Sequence, residues 1–172
     1  LDAVMAETGR LIGIARRSKR LEPMQVLTRG RITCEAGLEG DHKGAKFKLR
    51  QITVLALEQW QAALRDLAAQ SPEDGEVVLP WTVRRANLLV KGVALPKARG
   101  GVVRIGPVTL EVTYPTQPCK RMDDAYPGLL RALHPDWRGG ITSRVLEPGE
   151  IRIGDEVEVL VRPPEKTSRL PG

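Results

Sequence analysis

The fold class of this chain is decided by residues 99–113, which read Arg99-Gly100-Gly101-Val102-Val103-Arg104-Ile105-Gly106-Pro107-Val108-Thr109-Leu110-Glu111-Val112-Thr113. From Val108 onward apolar and polar residues alternate, and this period of two predicts a strand with one apolar face. The preceding segment, 102–105, is rich in β-branched residues and lies between two turns marked by glycine and proline. The stretch therefore predicts two short strands joined by a tight turn.

The same pattern of short strands recurs along the chain. Further strands are predicted at 11–15, 24–27, 50–55, 87–90, 141–146 and 156–161. One segment, 57–69, has a helical period instead, with Leu57, Trp60, Leu64 and Leu67 on one face, and a short helix is predicted within 127–133. Many short strands with few helices indicate a mainly β (α+β) protein with a closed mixed barrel, because closure removes exposed sheet edges.

The length of 172 residues suits a single domain with a sizeable core. We expect an N-terminal extension over residues 1–10, a barrel domain over 11–161 and a disordered tail over 162–172, which contains three prolines. No apolar run approaches the roughly 20 residues of a membrane span, and no signal-peptide core precedes the domain. The expected location is the cytoplasm, with no membrane partner.

The net charge of +6 favours anionic partners such as nucleic acid or a phosphate-bearing cofactor. A basic β-barrel that binds nucleic acid is therefore one candidate function. Aromatic residues make up only 3% of the chain, so platforms on which single-stranded bases stack are scarce. This scarcity makes nucleic acid the less favoured partner.

Cys119 is the residue that says most about chemistry. It follows the predicted strand in the sequence Pro118-Cys119-Lys120-Arg121. Neighbouring cations stabilise a thiolate over a thiol, and a thiolate is both a nucleophile and a soft metal ligand. The other cysteine, Cys34, lies in a β-like stretch, where we expect it to pack into the core. The alternative is a resolving thiol for Cys119, which requires the two cysteines to be close in space.

Several segments, taken in order, resemble the MOSC domain, the molybdenum cofactor sulfurase C-terminal family. They are Gly37-Leu38-Glu39-Gly40-Asp41-His42, Arg50-Gln51-Ile52-Thr53-Val54-Leu55, Arg85-Ala86-Asn87-Leu88, Gly92-Val93-Ala94-Leu95, Pro118-Cys119-Lys120-Arg121, and residues 140–155. The resemblance covers roughly residues 11–161. Within the family, the chain is similar to the small standalone form. The family's diagnostic cysteine falls on Cys119, and a Gly-Asp pair near its C-terminus falls on Gly154-Asp155.

The resemblance implies a closed mixed barrel with a pocket in which Cys119 ligates the molybdenum of a pterin cofactor. Relatives of this kind reduce N-hydroxylated or N-oxide small molecules, and electrons for this chain would come from a separate reductase. Other relatives imply the alternative of a sulfur or cofactor carrier, with a persulfide on Cys119 supplied by a desulfurase and no redox turnover. We expect no pyridoxal-phosphate domain and no iron–sulfur cluster, because two cysteines cannot supply four ligands.

Other side chains are candidates for the pocket. His42 follows Gly40-Asp41 in a glycine-punctuated loop and is either a surface histidine or a proton-shuttling group at the pocket edge. Arginine forks bind phosphate in a bidentate manner, and an amide can contact both donors and acceptors of a pterin edge. The predicted cofactor-binding residues are Arg50, Arg85, Asn87, Lys120, Arg121 and Arg144.

Overall fold

A computed structural model describes residues 8–165 of the chain. The strands are β1 (Thr8–Arg16), β2 (Gln25–Leu27), β3 (Arg29–Thr33), β4 (Gly37–Leu38), β5 (Ile52–Ala56), β6 (Leu88–Lys91), β7 (Val102–Ile105), β8 (Val108–Pro115), β9 (Ile141–Glu147), β10 (Gly149–Arg152) and β11 (Glu156–Val161). The α-helices are α1 (Leu57–Gln70), α2 (Arg121–Ala125) and α3 (Leu129–Leu133), and single 3₁₀ turns span Pro72–Asp74, Trp81–Arg84 and Pro135–Trp137.

Seven strands form a closed barrel in the order β11-β7-β8-β9-β5-β6-β1, and β1 pairs back onto β11 to complete the ring. β5 and β6 run parallel because α1 connects them, and the remaining pairs of the ring are antiparallel. β2 adds to β1 outside the ring, and β3, β4 and β10 form a second, three-stranded sheet. The prediction of a closed mixed barrel with few helices in one domain is confirmed.

The barrel interior is filled by the apolar faces that the alternation predicts. In the β7–β8 hairpin, Val103 pairs with Leu110 and Ile105 pairs with Val108, and all four side chains are buried. A second apolar cluster lies outside the barrel, where Trp60 and Leu67 of α1 pack with α2 and α3. Trp60 is a core residue, as its helical phase predicts.

The chain ends differ in detail from the predicted bounds. β1 begins at Thr8, so it includes the last three residues of the segment predicted as an extension. Residues 1–7 of that extension and 166–172 of the predicted tail lie outside the described residues. The first tail residues follow the barrel surface, where the Lys97 amide donates to Glu165 Oε2 at 3.2 Å. Within residues 8–165, no helix is long and apolar enough to cross a bilayer.

Cys34 is exposed, which corrects the expectation that it packs into the core. β3 ends at Thr33, and the tight turn to β4 places Cys34 outside the sheet. The Thr33 hydroxyl accepts a hydrogen bond from the Ala36 amide at 2.9 Å and fixes this turn. The apolar position of the stretch is Ile32, which is fully buried.

Candidate functional site

A cavity of about 560 Å³ lies where the loops after β1, β4 and β8 meet the 3₁₀ turn before β6. Cys119 and His42 both line it. Its cationic lining residues are Arg17, Arg20, Lys43, Lys46, Arg50, Arg84, Arg85 and Arg121. Asp41 supplies the single carboxylate among the described lining residues. The cavity therefore has a strong excess of positive charge.

Cys119 lies in the loop between β8 and α2, and its side chain is exposed. β8 continues as far as Pro115, which pairs with Ile141 of β9. The Cys119 carbonyl accepts a hydrogen bond from the Met122 amide at 2.9 Å, and the Met122 side chain is buried. The backbone at Cys119 is thus fixed by the first turn of α2, while the sulfur stays accessible from the cavity.

Arg84 and Arg85 are the cations whose charges interact with Cys119. Arg84 is only 8% exposed, and its Nε donates to the Gly139 carbonyl at 3.0 Å. Burial lowers the pKa of Arg84 to about 10, and the charge of Cys119 partly opposes this shift. Arg84 is still cationic at neutral pH, so its charge would attract a thiolate at Cys119. The sequence suggested Lys120 and Arg121 for that task.

Replacement of Arg84 by methionine, Arg84→Met, is expected to slow alkylation of Cys119 by iodoacetamide at pH 7 by about threefold, because a charge that faces an exposed thiolate stabilises it by less than about 1 kcal/mol. The rate is measured by mass spectrometry, after circular dichroism has shown that the variant folds. Arg121→Met is the matched control, because it removes a cation of the same cavity. An equal reduction in both variants would contradict a specific role for Arg84.

The loop after β4 is tied to the end of β1 by hydrogen bonds. The Arg17 amide donates to Asp41 Oδ1 at 3.2 Å, and the His42 amide donates to the Arg17 carbonyl at 2.7 Å. Asp41 Oδ2 also accepts from the Lys43 amide at 3.4 Å. Asp41 therefore caps backbone amides, and the imidazole of His42 is held at the cavity wall.

The pKa of His42 is lowered from the ordinary 6.5 by partial removal of the ring from water and by the nearby cations Lys46 and Arg17. The imidazole is accordingly neutral at pH 7. In an NMR titration, His42 is expected to protonate below pH 6.5 in the free protein. Added phosphate is expected to raise that midpoint, because an anion offsets the repulsion from the cations. A midpoint that phosphate leaves unchanged would place the anion away from His42.

Two buried polar atoms of the cavity residues have no hydrogen-bond partner within the described part of the chain: Arg85 Nε and Thr116 Oγ1. Arg85 also has a left-handed backbone, with φ of 64° and ψ of 29°. Such strain in a non-glycine residue costs about 1–3 kcal/mol and is concentrated at functional sites. Unpaired donors and a strained arginine both indicate that a ligand supplies the missing acceptors.

The other predicted site residues fall into two groups. Arg50 and Arg121 line the cavity, and the Arg50 guanidinium lies 4.9 Å from the ring centroid of Phe47 at the rim. Lys120 is not among the lining residues. Arg144 lies in a separate surface pocket beside Cys34, and its Nε donates to Glu111 Oε1 at 2.5 Å.

Asn87 lines the cavity, but its amide is used within the protein. Its Nδ2 donates to the Ala15 carbonyl of β1 at 3.3 Å, and its Oδ1 accepts from the Thr53 amide of β5 at 3.0 Å. The side chain is 6% exposed. Asn87 therefore joins two barrel strands where β6 begins, using its Oδ1 and one of its two Nδ2 protons.

Sequence reasoning missed several cavity residues, among them Arg17, Lys43, Arg84 and Thr116. Arg17 belongs to the basic turn Arg16-Arg17-Ser18-Lys19-Arg20, whose charge density was the available signal. Arg84 directly precedes Arg85, so a pair of cations before a predicted strand was also visible. No local pattern distinguishes Thr116 from other loop threonines.

No functionally curated protein matches the chain significantly. Solved structures with the same fold include the YuaD protein of Bacillus subtilis, at 18% identity and a TM-score of 0.69 over 88% of this chain and 95% of that one. YiiM from Escherichia coli aligns at 20% identity and a TM-score of 0.65, over 92% of this chain and 73% of its own. YiiM from Geobacillus stearothermophilus aligns at 14% identity and a TM-score of 0.66, over 90% and 76%.

At these identities the structural likeness establishes the fold alone. The family is established by sequence, because the MOSC domain profile matches residues 41–158, more than half of the chain. The matched region begins at Asp41 in the cavity loop and includes Cys119. The chain belongs to the MOSC domain family.

Proposed function

We propose that this protein binds the molybdenum cofactor, with Cys119 as a ligand to molybdenum, and reduces N-hydroxylated or N-oxide small molecules. The observation that carries the proposal is an exposed thiol in the wall of a cavity lined by eight cationic side chains. A soft sulfur donor suits the metal of such a cofactor, and a set of cations suits the phosphate of its pterin.

The cavity residues fit such a cofactor. A phosphate ester carries a charge of about −1.5 to −2 at neutral pH and offers three acceptor oxygens. The unpartnered Arg85 Nε is one group that those oxygens would satisfy. Arg84 and Arg85 would hold the phosphate or stabilise the thiolate, and Phe47 offers an aromatic ring at the rim.

The bound cofactor supplies two-electron redox chemistry and a set of sulfur donors that one protein thiolate completes. Reduction of a hydroxylamine to an amine and water consumes two electrons and two protons, and a separate reductase supplies the electrons. His42 is the imidazole of the cavity and would pass protons from solvent to the substrate, since its lowered pKa makes the imidazolium that forms a stronger proton donor. The surrounding cations orient an anionic or polar substrate toward Cys119.

Elemental analysis tests the proposal directly. The protein is expressed with molybdate in a host that makes the cofactor, and molybdenum is measured per chain. About one molybdenum per chain, together with reduction of a hydroxylamine by a chemical electron donor such as dithionite-reduced viologen, is the expected result. A chain without molybdenum under these conditions would contradict the proposal.

A sulfur carrier is the second candidate, and the exposure of Cys119 beside Arg84 and Arg85 favours it as well. In this reaction the Cys119 thiolate attacks the outer sulfur of a desulfurase persulfide, and the desulfurase thiolate leaves. Intact mass spectrometry after incubation with cysteine and a desulfurase would show the addition of one sulfur atom. Persulfide on Cys119 in a chain without molybdenum would favour the carrier over the reductase.

A further inference from the structure

The charge of the cavity exceeds what one phosphate can neutralise. It is lined by eight cations, and the described lining residues offer one carboxylate, whose two oxygens both bond backbone amides. In the part of the chain that the structure describes, every ion pair lies elsewhere, on pairs such as Arg104–Glu158 and Arg138–Asp66. A single phosphate would bring a charge of at most about −2. Most of the cavity's positive charge would then face no anion.

One group of cations converges at the end of β1. Arg17 Nη1 and Arg85 Nη2 both donate to the Arg20 carbonyl, which places the two guanidinium groups side by side. Like charges so close together are repulsive, and Arg121 adds to this repulsion at both arginines. The unpartnered Nε of Arg85 belongs to this group. We call it the Arg85 subsite.

A second group lies at the end of β8. Gly139 packs between Thr116 and Arg84, since a β-carbon at this position would lie 2.6 Å from Thr116 Oγ1 and 3.4 Å from Arg84 Nε. The unpartnered Thr116 hydroxyl belongs here. A hydroxyl and a buried guanidinium form a second set of phosphate ligands. We call this group the Thr116 subsite.

We propose that the cavity binds two phosphoryl groups at the same time, one at the Arg85 subsite and one at the Thr116 subsite. The assignment of one of them to the pterin phosphate rests on the function proposed above. The second phosphoryl group belongs either to an extended, dinucleotide form of the cofactor or to a phosphorylated substrate. Each subsite has its own cations and its own unpartnered polar atom, so occupation of one leaves the other without an anion.

Calorimetric titration of the full chain, isolated without cofactor, with inorganic phosphate at constant ionic strength tests the proposal. Two phosphates per chain are expected. Arg85→Gln is expected to weaken one binding event about tenfold and Thr116→Ala the other about fivefold, since they remove one charge-assisted and one neutral contact. Thr116→Ala leaves the charge of the cavity unchanged, so a general loss of positive charge does not account for its effect. The matched control is Arg104→Gln on the outer barrel surface, which is expected to change neither.

A stoichiometry of one phosphate per chain would overturn the proposal, and so would Arg85→Gln and Thr116→Ala acting on the same binding event. The effects of these two variants are expected to add, because the subsites are independent. Repeating the titration on cofactor-loaded protein identifies the source. If one phosphate still binds, the second phosphoryl group belongs to a substrate. If no phosphate binds, both phosphoryl groups belong to the cofactor. The titration of the free chain needs no molybdenum, so it can succeed even if the proposed function fails.

Discussion

Replacing Cys119 by serine, Cys119→Ser, is expected to abolish molybdenum retention, reducing it from about one atom per chain to less than a tenth of that. The physical reason is the loss of the one thiol among the described residues that line the cavity. A serine hydroxyl is harder and is not deprotonated at neutral pH, so it cannot replace a thiolate. Elemental analysis of the two proteins after gel filtration measures the difference.

The chain offers a matched control in Cys34→Ser. Cys34 is also exposed, but it lies in the turn between β3 and β4, beside Arg144 and away from the cavity. Its replacement is expected to leave the molybdenum content unchanged. Phosphate binding to the free Cys119→Ser protein is also expected to persist, because the cations remain in place. Full molybdenum content in Cys119→Ser would exclude this residue as the ligand and redirect the search to other groups of the cavity.

The barrel could be predicted because its information is local. Alternation in residues 102–113 requires only neighbouring positions to indicate two strands, and the structure has them as β7 and β8. The three-stranded sheet was not predicted, since β10 pairs with β3 across a separation of more than a hundred residues. α2 also lacks a sequence signal, with five residues of which one, Met122, is buried.

The cavity residues also divide into those with a local sequence signal and those whose role depends on distant parts of the chain. Cys119 was identified because a cysteine between proline and two cations is unusual in sequence, and His42, Arg50 and Arg121 line the same cavity. Arg84 could not be identified as a buried cation, because its burial depends on Gly139, 55 positions later in the chain. Asn87 has the right place for a ligand contact, but its hydrogen bonds to β1 and β5 become visible only in the folded barrel.

A second large effect is expected at Gly140, where alanine would strain the backbone between the barrel strand β5 and the cavity residue Thr116. Gly140 is buried with φ of 102°, a conformation that favours glycine, and a β-carbon there would lie 2.3 Å from the Val54 carbonyl oxygen. Backbone strain and overpacking each cost about 1–3 kcal/mol, so Gly140→Ala is expected to lower the free energy of unfolding by about 4 kcal/mol. Urea denaturation measures this loss, which is a large fraction of a domain's stability.

Gly154→Ala separates the two causes. Gly154 has a similar φ of 96°, but a β-carbon there would meet nothing within 4 Å. Its loss is therefore expected to reflect strain alone, at about 1–2 kcal/mol. An equal loss of stability in the two variants would show that β5 moves away from the added methyl group at little cost.

If Gly140→Ala instead folds with a displaced backbone, phosphate binding at the Thr116 subsite is expected to weaken, because the Gly140 carbonyl accepts the hydrogen bond from the Thr116 amide. Gly140 thus packs against β5 of the barrel and also holds Thr116 in place at the cavity.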